Sequence, residues 1–244
     1  MSGHSKWSTI KRQKEATDKK RGAIFTKLGR AIAVAVREGR GDPHPETNFK
    51  LRLAVEKARA ANMPKGNIKR AIDRATAVSG GGEAFSEVAY EGYGPAGIGI
   101  IIETTTDNKQ RTGQEIRNLL DRLGGSLASP GSVSYNFIPT GLIQVSPPAD
   151  REKAALDIID LGAQDVDITP HSIQVYTSPR ELSSFRTKLE KAGHKIISIQ
   201  LIQKPKTLLP LPADQEAKLS HLLEALEDHP DVQQIFTNAK SAPN

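Results

Sequence analysis

The hydrophobic period of this chain changes once, and a glycine-rich segment marks the place. Up to residue 79, apolar residues recur at three- and four-residue spacings and no strand pattern occurs. Ile24, Phe25, Leu28, Ile32, Ala35 and Val36 form one stripe, which predicts an amphipathic helix. Gly39 and Gly41 end it, and Pro43 and Pro45 keep the chain out of helix. Thr47 or Asn48 can cap a second helix with Leu51, Ala54, Val55 and Ala58 inward. Asn62 closes that helix and Pro64 suits the first turn of the next, whose inner face is Ile68, Ala71, Ile72 and Ala75. Ser79-Gly80-Gly81-Gly82 then reads as a flexible linker.

Beyond the linker, β-type patterns take over. Residues 87–93 and 98–106 read as strands around a Gly-Pro turn, and 109–123 as an amphipathic helix. Residues 132–138 alternate Val133, Tyr135 and Phe137 on one face, the pattern of a half-buried strand. From residue 141 the order is strand 142–145, helix 150–161, strands 165–169 and 172–177, helix 180–192 and strand 196–202. That βαββαβ order is the ferredoxin-like arrangement. A helix at 214–227 and a strand at 232–237 follow. The segment 84–138 lacks a second helix and a last strand, and the C-terminal pair supplies both. The expected fold class is therefore α+β and multidomain. A basic helical domain spans 1–79, and an α/β domain combines 84–138 with 206–244. A ferredoxin-like α/β domain, 140–205, is inserted in it. Three consecutive modules with a tail helix would use the same elements.

Charge divides the chain in the same way. Residues 1–75 carry 19 Lys and Arg against 7 Asp and Glu, and the rest carries 15 against 21. A basic helical third on an acidic remainder suggests a polyanion-binding module; an ordinary solvated helix surface is the plainer alternative. Aromatics are only 5% of residues, so the cores must be aliphatic. There is no cysteine, which excludes disulfides, thiolate metal sites and cysteine nucleophiles. No apolar run approaches the roughly 18 residues of a membrane helix, and the basic, polar opening lacks the apolar core of a secretory signal.

Several clusters of residues bear on chemistry. Cations surround the single Trp7 at Lys6, Lys11 and Arg12. They suit an unpaired base stacked on the ring with phosphate contacts beside it, but Trp7 as a small-core anchor is the preferred reading, since a domain with so few aromatics needs one. Lys65, Lys69, Arg70 and Arg74 share the exposed arc of one helix, and Lys19, Lys20, Arg21, Lys27 and Arg30 form a second strip. Lys65/Lys69 and Arg70/Arg74 are like-charge pairs at i,i+4, destabilising on their own and compensated by a bound polyanion. Lys109 and Arg111 occupy the first turn of the helix that Asp107 or Asn108 caps, against the positive end of its dipole. Free amides with two cations make a phosphate site there; exposed surface is the alternative. Gly92-Tyr93-Gly94-Pro95-Ala96-Gly97 spells G-x-G-x-x-G, but a strand rather than a helix follows, so it reads as a strand connection and not a dinucleotide site. No P-loop, G-x-S-x-G or paired-His motif occurs. Asp150, Glu152, Asp157, Asp160, Asp165 and Asp167 form an acidic stretch on a helix surface and the turn after it, with a metal site only as the alternative.

The chain resembles the YebC family, found across bacteria and in mitochondria, where its member activates translation of cytochrome c oxidase. The likeness lies in Gly3-His4-Ser5-Lys6-Trp7, Phe25-Thr26-Lys27-Leu28, Ala60-Ala61-Asn62-Met63-Pro64, Tyr90-Glu91-Gly92-Tyr93-Gly94-Pro95, Thr106-Asp107-Asn108 and Gly131-Ser132-Val133. Segments 39–48 and 126–130 depart from the family pattern. The resemblance implies one helical and two α/β domains in a non-enzymatic, cytoplasmic regulator that needs no cofactor, metal or small-molecule substrate. Older assignments make the family DNA-binding transcriptional regulators. A later view makes them translation factors that act on the ribosome and relieve stalling at proline-rich stretches. In the expected mechanism here, RNA phosphates are bound and the α/β domains position a functional loop of Tyr90, Gly92, Tyr93, Gly94 and Pro95. The family motif begins at Gly3, which leaves no room for a transit peptide.

Overall fold

The computed structural model describes residues 18–77 and 85–240, with side chains from residue 22 onward. The linker at 79–82 lies outside them, as do Lys6, Trp7, Lys11 and Arg12. None of the described helices is long and apolar enough to cross a membrane.

Three helices open the described chain: α1 (Asp18–Glu38), α2 (Phe49–Ala60) and α3 (Lys65–Ala77). Leu28, Ile32, Ala35 and Val36 of α1 pack on Leu51, Val55 and Ala58 of α2 and on Ile68 of α3, an aliphatic core. One side chain sets the corner between the first two helices. The Asn48 Oδ1 accepts from the Leu51 amide at 3.0 Å, capping α2. Its Nδ2 donates to the carbonyl of Ala35 at 2.9 Å, which also accepts from the Gly39 amide at 3.1 Å, so the same residue ties the end of α1 to the start of α2. A Cβ on Gly39 would lie 2.1 Å from that Nδ2, which is why the helix end needs glycine there. Asn62, at φ 59°, closes α2 in the left-handed conformation asparagine tolerates.

The chain forms two compact units. One is residues 136–207; the other contains the helices and is resumed at residue 208. In that larger unit, β1 (Ser86–Tyr93), β2 (Gly99–Thr106), β3 (Ser126–Ala128) and β9 (Val232–Thr237) form a sheet ordered β3-β1-β2-β9, antiparallel throughout. Helices α4 (Lys109–Arg122) and α7 (Ala213–Asp228) cover one face. Ile100 and Ile102 of β2 meet Ile116 and Leu120 of α4 and Leu222 and Leu226 of α7. Alternate strand positions thus supply one side of the core and i,i+4 helix positions the other. A short parallel pair, β8 (Leu209–Pro210) with β10 (Ala239–Lys240), ends the unit.

The smaller unit runs β4 (Phe137–Val145), α5 (Arg151–Asp160), β5 (Asp165–Ile168), β6 (Ile173–Thr177), α6 (Leu182–Lys191) and β7 (Ile196–Pro205). Its sheet is ordered β5-β6-β4-β7, all antiparallel. Ile143, Val145, Ile173, Val175, Ile158, Phe185 and Leu189 are buried in it.

The expected strand at 132–138 does not form. Ser134–Asn136 is a 3-10 turn with Tyr135 70% exposed, and the strand starts at Phe137, running without a break to Val145. The cause is a buried carboxylate outside the segment. Glu91 on β1 accepts from the amides of Gly131 at 2.7 Å, Val133 at 2.6 Å and Ser134 at 2.9 Å. Those amides point at one residue and are lost to a ladder, so the segment wraps around Glu91.

Burial works against the Glu91 charge, but the amides of Gly131, Ser134 and Val133 outweigh it and hold its carboxyl below the usual range. A carboxyl lowered on folding stabilises fully above its unfolded value, about pH 4.3, and the gain is lost as pH falls through the lower folded value. Glu91→Gln keeps the shape, loses the charge and turns an NH2 toward amide donors, costing about 1–3 kcal/mol at neutral pH. Thermal melts across a pH series should show the gap to wild type wide at neutral pH and narrowing below about pH 4. A gap independent of pH would place the stabilisation in shape rather than charge.

Candidate nucleic-acid interface

The cations expected to share a face do so on α3. Ile68 turns that helix inward and leaves Lys65, Lys69, Arg70 and Arg74 exposed. Among the described residues, no carboxylate lies within ion-pair distance of these four, and Arg70 meets only the neutral Asn67 Oδ1. Beside them a groove of about 600 Å3 runs between α1 and α3. Phe25, Gly29 and Ala33 of α1, Ala71 and Ala75 of α3, and Phe85 line it, with Arg30, Arg70 and Arg74 at its polar positions.

The second strip divides. Lys19, Lys20 and Arg21 lie on the first turn of α1, their side chains outside the described residues. Lys27 and Arg30 turn toward the α/β part. Lys27 Nζ donates to the Glu227 carbonyl at 2.5 Å, and Arg30 Nη1 donates to the Pro230 carbonyl at 3.1 Å and pairs with the Asp231 carboxylate. The Arg30 guanidinium also sits 5.2 Å over the ring of Phe85. These cations hold two parts of the unit together.

Arg111 behaves likewise. Asn108 caps α4 by accepting from the Arg111 amide at 3.0 Å. The Arg111 guanidinium lies 2.6 Å from Asp107 and 3.1 Å from Asp231. The first turn of α4 is therefore supplied with carboxylates after all, one of them 120 residues away in sequence. Lys109 is exposed, and its carbonyl accepts from the Tyr90 hydroxyl at 2.7 Å.

Asp231 is the hub. Its side chain is 2% exposed, and it accepts from Thr112 Oγ1 at 2.6 Å besides Arg111 and Arg30. Burial opposes its charge, yet the hydrogen bonds from Thr112 and Arg111 and the charge of Arg30 hold its carboxyl below the usual range. Asp231, His229 and Glu115 bring three ligand atoms within 4.8 Å, the one such set among the described residues. The set does not fit a metal. His229 Nδ1 accepts the Asp231 amide at 3.2 Å, which leaves the proton on Nε2, 2.9 Å from Glu115. Two guanidinium groups already neutralise Asp231. The acidic stretch of 150–167 forms no such set; Asp165 pairs with Lys204, and Asp167 accepts from Tyr176.

The functional loop expected at Tyr90 to Pro95 is strand as far as Tyr93, the end of β1, because these residues pair with β2 and β3, and the segment is committed largely to packing. Tyr93 donates to the Ser132 carbonyl at 2.7 Å. A Cβ on Gly92 would lie 2.8 Å from the Ser126 carbonyl, so β1 and β3 meet only with glycine there. Gly94 and Pro95 are buried, and Tyr93, Ala96 and Gly97 are exposed. The residues that sequence reasoning missed are Asp231, Glu91 and Phe85. Glu91 lies within the Tyr90–Pro95 motif, which does not reveal its role, and Asp231 and Phe85 lie in none; each acts on partners distant in the chain.

A family described as the TACO1/YebC protein N-terminal domain matches residues 5–78, and one described as the TACO1/YebC second and third domain matches residues 85–239. A probable transcriptional regulatory protein of Lactobacillus gasseri is 43% identical over 242 residues, covering 98% of each chain. One from Thermomicrobium roseum is 45% identical over 240 residues, covering 98% of this chain and 96% of its own. The crystal structure of a conserved hypothetical protein from Aquifex aeolicus matches with a TM-score of 0.84 at 39% identity, covering 95% of both chains.

Truncating the hub should be costly. Asp231→Ala leaves Arg30 and Arg111 facing each other without their shared carboxylate, and should destabilise by about 3–5 kcal/mol in denaturant titration. Arg111→Glu should also lower stability, since it sets a third carboxylate beside Asp107 and Asp231. Urea midpoints read both; an unchanged Arg111→Glu midpoint would make Arg111 ordinary surface.

Proposed function

The chain belongs to the TACO1/YebC family, and on that premise we propose that it is a non-enzymatic, cytoplasmic regulator of gene expression that binds nucleic acid through its helical domain. The observation that carries the proposal is the unequal fate of its cations. Lys27, Arg30 and Arg111 are consumed by internal partners, whereas Lys65, Lys69, Arg70 and Arg74 face solvent together with no carboxylate among the described residues. Repulsion kept on one face is offset by a polyanion, whose phosphates release counterions as they meet the lysines and arginines.

In this reading the helical domain, residues 1–79, is the binding module. An α/β domain of 84–138 with 206–244 carries it, and a ferredoxin-like domain of 140–205 is inserted there. The target is ribosomal RNA: the protein is a ribosome-associated translation factor that relieves stalling at proline-rich stretches. Lys6, Trp7, Lys11, Arg12, Lys19, Lys20 and Arg21 extend the basic surface, and Lys109 and Tyr93, at opposite ends of α4, offer separate further contacts. The other reading, a transcription regulator on duplex DNA, draws support from the names the relatives carry. Against it, α3 offers no Asn or Gln after Asn67 to read the edge of an adenine.

Contact with about four to six phosphates gives a log–log salt slope of roughly −3 to −5. Lys65→Ala with Lys69→Ala should weaken RNA binding across sequences and reduce the slope by about 1.5. Sedimentation of lysate through sucrose separates the two targets: the protein should travel with ribosomes. Cosedimentation with chromosomal DNA alone would favour the transcription reading, and a slope near zero would reduce the basic face to solvated surface.

A further inference from the structure

The groove beside the cations asks for more than phosphate. A surface that only neutralises a backbone needs charge on a face, with no concavity and no apolar lining. Here about 600 Å3 opens directly beside Arg70 and Arg74, within the range of sites that enclose small ligands. It is lined by two half-buried aromatic rings, Phe25 and Phe85, and by small residues, Gly29, Ala33, Ala71 and Ala75. Gly29 lies mid-helix in α1, where glycine weakens the helix relative to alanine. Nothing in the fold requires it: a Cβ there would meet no atom within 4 Å, and its φ is not positive. What its missing side chain leaves is room in the groove.

One part of the lining is already oriented. Arg30 stacks on Phe85 at 5.2 Å to the ring centroid, while its Nη1 is held by Asp231 and the Pro230 carbonyl. A guanidinium tied at its edge keeps its plane in place, so a flat ligand meets aromatic and guanidinium surfaces at little ordering cost. At the rim Asn67 offers an amide donor and acceptor, and Arg70 and Arg74 offer charge. A flat aromatic ring with hydrogen-bonding edges, attached to phosphates, complements all of these features at once.

We propose that the α1–α3 groove receives one unpaired nucleobase of a single-stranded nucleic acid, stacked on the surfaces of Phe25, Phe85 and Arg30, with the flanking phosphates on Arg70 and Arg74. The proposal rests on the nucleic-acid-binding reading above and sharpens it: the chain selects unpaired nucleotides over duplex. Bases within a duplex are stacked on their neighbours and do not reach such a groove unless flipped out. Base–aromatic stacking tolerates any sequence, so the selection is for strand state rather than sequence.

Gly29→Leu tests this directly, since it fills the groove and adds no charge. Binding to a short mixed-sequence RNA, to the same sequence as single-stranded DNA, and to the RNA duplex is followed by fluorescence anisotropy, with circular dichroism and thermal melts confirming the fold. Gly29→Leu should lose about tenfold or more on the single strands, with the salt slope unchanged, and should leave duplex binding as it was. Phe85→Ala, which removes one ring of the lining, should lose single-strand affinity to a similar degree and keeps the test open if Gly29→Leu does not fold. A fluorescent base analogue within the RNA should report stacking with wild type and not with Gly29→Leu. Equal loss on RNA and DNA single strands supports a site reading the base alone; greater loss on RNA supports one that also contacts the ribose hydroxyl. Single-strand affinity unchanged in both variants, or a loss equally large on duplex, would overturn the base site. Lys65→Ala with Lys69→Ala lies outside the groove and tests the underlying reading separately. Its failure to weaken binding removes the nucleic-acid face, whereas failure of Gly29→Leu and Phe85→Ala alone removes only the pocket.

Discussion

A single buried carboxylate joins parts of the chain that share no local pattern. Asp231 begins the return of the chain into its first sheet, next to Val232 of β9. It takes Arg30 from the middle of α1, and Arg111 and Thr112 from the start of α4. Its own backbone is also used: the carbonyl accepts from Thr105 on β2 at 2.8 Å. Burial would raise the carboxyl were it alone, so each partner is needed to keep the charge tolerable. The helical bundle is tied to the sheet at this point by an interaction strongest when its members are least solvated.

The hub also decides which cations remain available. Arginines at 30 and 111 and the lysine at 27 face inward onto carboxylates or helix-end carbonyls. Those on α3 have no such partners among the described residues, because Ile68 turns the opposite side of the helix into the bundle core and leaves their arc in solvent. A basic surface thus results from geometry acting on a sequence in which both kinds of lysine and arginine look alike. The same arrangement fixes Arg30 over Phe85, so the tie that joins the domains also shapes the wall of the groove beside them.

Much of the fold was legible because periodicity is local. The stripes at Leu28–Ile32–Ala35–Val36 and Leu51–Val55–Ala58 became the bundle core. Asn48 was one of two cap candidates and is the cap, since its amide reaches both helix ends. The cationic arc at Lys65, Lys69, Arg70 and Arg74 could be read from helical spacing alone. The strand expected at 132–138 was misread for a physical reason. Alternating Val133, Tyr135 and Phe137 satisfy a strand pattern, but Glu91, forty residues earlier, captures the amides that would have formed the ladder.

The sequence by itself determined the helices and most of the longer strands, though not β3 or the turn before β4, along with the aliphatic cores, the charge division and, through its motifs, the family. These follow from residues within a few positions of one another, where spacing dictates which side chains share a face. Only the tertiary structure decided which charges are spent and which are free. At Arg111 the local sequence argues for an uncompensated cation, and Asp231 arrives from 120 residues away to meet it. At Gly29 the sequence shows a helix-weakening residue, and the packing of α1 against α3 and Phe85 shows what its absent side chain leaves open. Long-range partners of this kind leave no periodic trace, because each is one residue placed by the whole fold rather than one position in a repeat.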